Sequence, residues 1–193
     1  MSYKVIRTHE ICAGHRVVGH ESKCRHLHGH NYMFHFHVAP KMKTVAVATG
    51  KARHVEGQGF KQTYRDMTVN DRTKLDAVGR VIDFSVVKST LCEWLELNWD
   101  HKFLHWEKDD LINGLAALAK NDQTFDEDQR DVGQKDFHHF TDSLVALPFN
   151  PTAENLAAYM VNVIGPRLLD EHDVELVQCV IEETSKCHVE YTK

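Results

Sequence analysis

No run of apolar residues in this chain is long enough to span a bilayer, and the N-terminus, Met1-Ser2-Tyr3-Lys4, lacks the apolar core of a signal peptide. A membrane role is therefore not expected, and the cytoplasm is the expected location. Cysteine is sparse: the five residues Cys12, Cys24, Cys92, Cys179 and Cys187 form an odd set without framework spacing. That argues against a disulfide scaffold and fits a reducing compartment. An excess of positive charge is also missing, since the formal net charge is -5 and the pI about 6.3. This argues against a general nucleic-acid binder. Internal repeats and low-complexity tracts are absent. What remains is a globular composition, 42% hydrophobic and 26% charged over 193 residues. That length can bury a sizeable core, and a single domain spanning 1–193 with elaborations is expected.

Histidine is abundant and unevenly placed. Of the 15 histidines, eight fall between His9 and His37, so metal chemistry is sought at this end of the chain. His28 and His30 are two apart, and in a β-strand such residues project from one face and can reach one ion. Gly29 between them leaves room for close approach. Tyr32, Phe34, Phe36 and Val38 continue the same parity, which extends the strand. His15 ends a second alternating segment, with Val5, Ile11 and Ala13 on its face, and is the best third ligand. Three imidazoles with a fourth position open is the pattern of a catalytic rather than a structural zinc.

In chain order, two strands over Tyr3–His15 and from His28 to about Pro40 come first. Residues 41–80 lose periodicity around Gly50, Gly57 and Gly59 and are expected to form an extended hairpin excursion. Asp83 or Ser85 caps a helix whose stripe is Phe84, Val87, Leu91, Cys92 and Leu95. A long stretch, 105–147, contains a possible short helix at 111–120 and an acidic, aperiodic segment, 121–142, expected to be a surface loop or lid. Thr152 caps a second helix with the stripe Leu156, Tyr159, Met160, Val163 and Ile164, which Gly165-Pro166 is expected to end or kink. Val174 to Tyr191 reads as two short strands or one bent strand. The order implies an α+β layer: a four-stranded antiparallel sheet with two helices on one face.

Several of these residues together carry a resemblance. Cys24-x-x-x-His28-Gly29-His30, preceded by Ala13-Gly14-His15-Arg16 and followed by Val81-Ile82-Asp83-Phe84, Asp100-His101, Pro151-Thr152-Ala153-Glu154-Asn155 and Glu183-Thr184, resembles the 6-pyruvoyl-tetrahydropterin synthase family. The gap between Cys24 and His28 and the Ile-Asp-Phe run are closer to its 6-carboxy-tetrahydropterin synthase branch. The resemblance implies the tunnelling fold, whose strands close into a barrel in trimers that stack as hexamers, with active sites between subunits. It implies zinc on His15, His28 and His30, Cys24 as general base, Asp100 and His101 as a proton relay, and Glu183 as the pterin anchor. Glu154 and Thr152 fall beside the pterin pocket by the same match, Thr152 being first a helix cap.

The implied activity is a lyase that converts dihydroneopterin triphosphate to 6-carboxy-tetrahydropterin on a queuosine-type deazaguanine pathway. Two alternatives stand beside it: the related synthase that eliminates triphosphate to the pyruvoyl product, and a non-catalytic zinc or pterin-binding module. The sequence departs from the family at Trp99, at Cys12 and at Arg25-His26, and in the two insertions at about 41–80 and 105–147. Those insertions are oppositely charged. Nine Lys or Arg face four Asp or Glu between Lys41 and Arg80, and ten acids face four bases between Glu107 and Asp142. Docking of one insertion on the other is the sharper expectation, and independent solvated loops the plainer one.

Overall fold

A computed structural model describes residues 3–48, 53–55, 59–61, 64–69, 74–121 and 139–193. Along the chain run β1 (Val5–His15), β2 (His28–Pro40), β3 (Lys43–Ala48), β4 (Arg53–Val55), β5 (Gly59–Lys61), β6 (Tyr64–Val69), helix α1 (84–98), β7 (Phe103–Trp106), α2 (Asp110–Asn121), β8 (Leu144–Leu147), helix α3 (153–169), β9 (Val174–Thr184) and β10 (Cys187–Thr192). Both strands of the histidine-rich end lie where alternation placed them. β1 and β2 pair antiparallel from Val5↔Val38 to His15↔His28. The pairing puts Ile11, Ala13, Tyr32, Phe34, Phe36 and Val38 on one buried face. α1 and α3 cover that face through Val87, Leu91, Leu95, Trp99, Leu156, Met160 and Ile164. Each large side chain fully buried there is worth roughly 1.5–3 kcal/mol.

The main sheet has six strands rather than the expected four, in the order β10-β9-β2-β1-β7-β8. β9 and β10 extend it antiparallel from β2, while β7 and β8 add parallel strands beyond β1. The ends of the 105–147 insertion thus belong to the sheet itself. Gly14 makes the junction possible, because a Cβ there would lie 2.7 Å from the Phe103 ring. Phe103-Leu104-His105-Trp106 and Leu144-Val145-Ala146-Leu147 are too short to show a period.

Both helices contain a π turn, Lys88–Cys92 in α1 and Met160–Ile164 in α3. The stripes Val87, Leu91, Leu95, Trp99 and Leu156, Met160, Ile164 step by four, and each such step overshoots an α-helical turn by about 40°. The wider turn absorbs the overshoot and keeps each stripe on the sheet. It also lets α3 run on through Gly165-Pro166, where an end or a kink was expected; Gly165–Leu169 is again α-helical. Gly165 is itself required, since a Cβ would meet Leu176 at 2.7 Å.

The excursion at 41–80 is a nested hairpin as expected. β3 pairs with β6 and β4 with β5 in two sheets of their own. Its root lysines pair with the turn between α3 and β9: Lys41 with Asp170 at 2.9 Å and Lys74 with Asp173 at 3.0 Å. The acidic segment proposed as loop or lid lies largely outside the described residues, and so does the docking of the two insertions. All five cysteines are free. Among the described residues no helix is long and apolar enough to cross a membrane.

Candidate active site

His28 and His30 continue the buried face of β2, and His15 stands opposite His28 at the end of β1. Their ring centroids lie 4.5 Å (His15–His28), 5.2 Å (His15–His30) and 5.1 Å (His28–His30) apart. One ligand nitrogen from each lies within 4.8 Å of the others. Hydrogen bonds fix two of the rings. His15 Nδ1 donates to the Pro151 carbonyl at 2.7 Å, and His28 Nδ1 donates to the His26 carbonyl at 2.7 Å. Both Nε2 lone pairs are thereby left bare, the orientation a metal ligand needs. His15 Nε2 is buried with no hydrogen-bond partner, 4.0 Å from a Glu183 oxygen. Burial lowers the His15 imidazole to about 4, a shift that the Pro151 bond opposes and the neighbouring His28 and His30 reinforce. His30 is lowered by burial as well, against the pull of Glu183. Neutral rings with free lone pairs suit a divalent cation.

A cleft of about 310 Å³ opens beside this cluster. His15, Cys24, Thr152, Glu154 and Glu183 all line it. Tyr32 packs edge-on against the His15 and His30 rings, its phenol raised first by burial and then by the Glu183 carboxylate. Thr152 also caps α3, accepting from the Asn155 amide. One short segment holds both walls. Asn150 accepts from the Val18 amide at 2.9 Å and donates to its carbonyl at 2.8 Å, Pro151 orients His15, and Thr152 starts the helix. Cys24 sits in a 3₁₀ turn, Lys23–Arg25, and its carbonyl accepts from the Val17 amide at 2.8 Å.

Asp100 and His101 are brought together, but not into this cleft. His101 Nδ1 donates to Asp100 Oδ2 at 2.8 Å, and Asp100 Oδ1 accepts from the Cys12 amide at 2.8 Å. Burial pushes the Asp100 carboxyl up, but the Cys12 amide and the His101 ring outweigh it and hold the group below its usual range. His101 is exposed, has a left-handed backbone with φ 55°, and lines a separate hollow with His30, Asn31 and Phe103. Within one chain His101 and Cys24 therefore line different pockets.

Sequence reasoning missed His20, Cys187 and His188, which line the cleft, and Asn150, which braces it. Only Asn150 left a signal, since Asn-Pro marks a turn. Gly29 was expected to leave an approach open, and the close neighbour is the Ala13 carbonyl of the paired strand, 3.0 Å from a Cβ built there.

Known proteins resemble this chain in sequence and in fold. The curated 6-carboxy-5,6,7,8-tetrahydropterin synthase of Rickettsia bellii is 27% identical over 187 residues, which is 97% of this chain and 98% of that protein. Its Rickettsia typhi counterpart is 25% identical over the same share of each chain. Among solved structures, an uncharacterized protein of Wolinella succinogenes superposes with a TM-score of 0.65 at 19% identity, covering 98% of this chain and 97% of that one. The 6-pyruvoyl tetrahydropterin synthase of Caenorhabditis elegans gives a TM-score of 0.50 at 17% identity, over 99% and 95%. These two show the fold. The family profile described as 6-pyruvoyl tetrahydropterin synthase matches residues 4–193, so the chain belongs to that family.

Proposed function

We propose that this protein is a zinc-dependent lyase that converts dihydroneopterin triphosphate to 6-carboxy-tetrahydropterin for deazaguanine synthesis of the queuosine type, and that its 193 residues form one domain. The observation that carries the reading is the convergence of Cys24, Glu183, Glu154 and Thr152 on one cleft beside His15, His28 and His30. The names of the curated relatives support the carboxylated over the pyruvoyl product. Bound at the three histidines, zinc supplies Lewis acidity that acidifies C–H bonds beside a polarised oxygen of the substrate side chain. Cys24 removes the proton as thiolate. Glu183 accepts two parallel hydrogen bonds from the amino-pyrimidine edge of the pterin and fixes its orientation. Glu154 and Thr152 border the same pocket. Asp100 holds the His101 proton on Nδ1, which leaves Nε2 free to take up or return a proton.

Because His101 faces another hollow, the relay serves the cleft of a neighbouring copy, in a homohexamer whose sheets join as a barrel. Among the described residues the outer edges of β8 and β10 are unpaired. Such edges are commonly closed by assembly.

Zinc-loaded protein incubated with dihydroneopterin triphosphate should release acetaldehyde and a carboxylated pterin, identified by mass. A pyruvoyl pterin without acetaldehyde would select the related synthase, and no product at all would leave the binding module. Cys24→Ala should abolish turnover and keep zinc. Mixing inactive Cys24→Ala and His101→Ala chains should restore turnover through hybrid sites, and failure to complement would place both residues in one subunit's site.

A further inference from the structure

The histidines around the cleft are distinguished by what holds their Nδ1 atoms. In His15 and His28 that atom faces a carbonyl, which can only accept. In His20 it lies 2.9 Å from the Ser22 backbone nitrogen, which can only donate. The neutral His20 ring must then carry its proton on Nε2. His20 lines the same cleft as Cys24, and among the described residues its Nε2–H meets no acceptor. It is a prepared hydrogen-bond donor without a partner.

Its surroundings indicate what it donates to. Between Arg16 and Leu27 the only acid is Glu21, while Lys23 and Arg25 flank Cys24. Both cations are exposed, and among the described residues neither pairs with a carboxylate. The same cleft lining carries two acids, Glu154 and Glu183. The cleft lining thus offers carboxylates to a donor-rich ring edge and, at His20, an N–H group to an anion, with two exposed cations beside Cys24 in the chain.

We infer that His20 is a specificity-determining residue whose Nε2–H donates to an anionic phosphate oxygen of the substrate, with Lys23 and Arg25 adding attraction at the rim. This rests on the pterin-triphosphate reading above. Asn150 keeps the donor in place by clamping Val18, two residues before His20. Arg16, the remaining cation of the loop, is occupied by Asp109 at 3.3 Å.

The test compares dihydroneopterin triphosphate with dihydroneopterin, which lacks the phosphates, on wild type, His20→Phe and His20→Gln. A hydrogen bond to a charged oxygen is worth about 10- to 100-fold in affinity. His20→Phe should weaken the triphosphate by about that factor and leave dihydroneopterin affinity and zinc content unchanged. His20→Gln, whose amide N–H can replace Nε2–H, should recover most of the loss. Inorganic tripolyphosphate should compete with substrate in wild type and do so about 10- to 100-fold more weakly in His20→Phe. Equal weakening of both pterins, no weakening of either, or a glutamine variant as poor as the phenylalanine one would overturn the inference. Wild type that neither binds nor turns over the triphosphate would instead overturn the functional reading on which it rests.

Discussion

At its start the buried face of β2 presents His28 and His30; further along, the same face at the same spacing presents Phe34, Phe36 and Val38. Rings run without a break between the two ends, with centroids 5.1 Å (His28–His30), 5.4 Å (His30–Tyr32), 6.3 Å (Tyr32–Phe34) and 5.9 Å (Phe34–Phe36) apart. What changes is the cover. The phenylalanines lie at 0% exposure under the helices, with Trp99 6.1 Å from Phe34. The histidines lie beyond them, where polar backbone from Pro151 and His26 meets the rings. Alternation tells which side of a strand a residue occupies, and the covering element decides whether that side is core or site.

Substitutions at the two ends should separate these roles. The largest effect is expected at the histidine end. His28→Ala should take bound zinc from about one per chain to background and cut turnover at least about 100-fold, with the metal-free fold nearly as stable as before. Metal analysis with chemical denaturation checks both halves, and full zinc occupancy in the variant would remove His28 from the ligand set. Next is Phe34→Ala, expected to cost about 3–5 kcal/mol while zinc per folded chain stays unchanged.

Acid should act on the histidine end through His15. In the unfolded chain His15 takes up its proton near 6.5, and in the folded chain only near 4. Between these values the unfolded state binds more protons, so the stability present above about pH 6.5 falls as pH drops toward about 4. The loss approaches about 3 kcal/mol in chelator-treated protein. Denaturation midpoints across this range should fall less steeply in His15→Gln, and an unchanged slope would contradict the burial of a neutral ring. The smallest effect is that of Asn150→Ala, which removes both bonds to Val18 for about 1–2 kcal/mol. Zinc should remain while turnover drops, because the loop with Cys24 loosens and the histidines do not.

Much of this was legible from residue order. The i, i+2 spacing of His28 and His30 and the shared parity of His15 placed the cluster because strand geometry is local. The caps Asp83 and Thr152 were equally local, and the structure has both. β7 and β8 were missed because four-residue parallel strands are specified by their neighbours, here by the space over Gly14, rather than by their own pattern. His20 was missed because nothing in its sequence context reveals that Ser22 turns its amide back onto the ring. The separation of Asp100-His101 from Cys24 also had no sequence signal, because adjacency along the chain does not say which pocket a pair faces.

The left-handed backbone at His101 has a consequence for selection. A side chain with a Cβ costs roughly 1–2 kcal/mol in that conformation, and glycine avoids the cost. His101→Gly should therefore raise thermal stability while removing the exposed imidazole. A library of variants sorted only for resistance to heat or protease should accumulate glycine at position 101, and the same library sorted for pterin turnover should reject it. Divergence between the two sorted populations at this position would mark a residue retained against the preference of the fold.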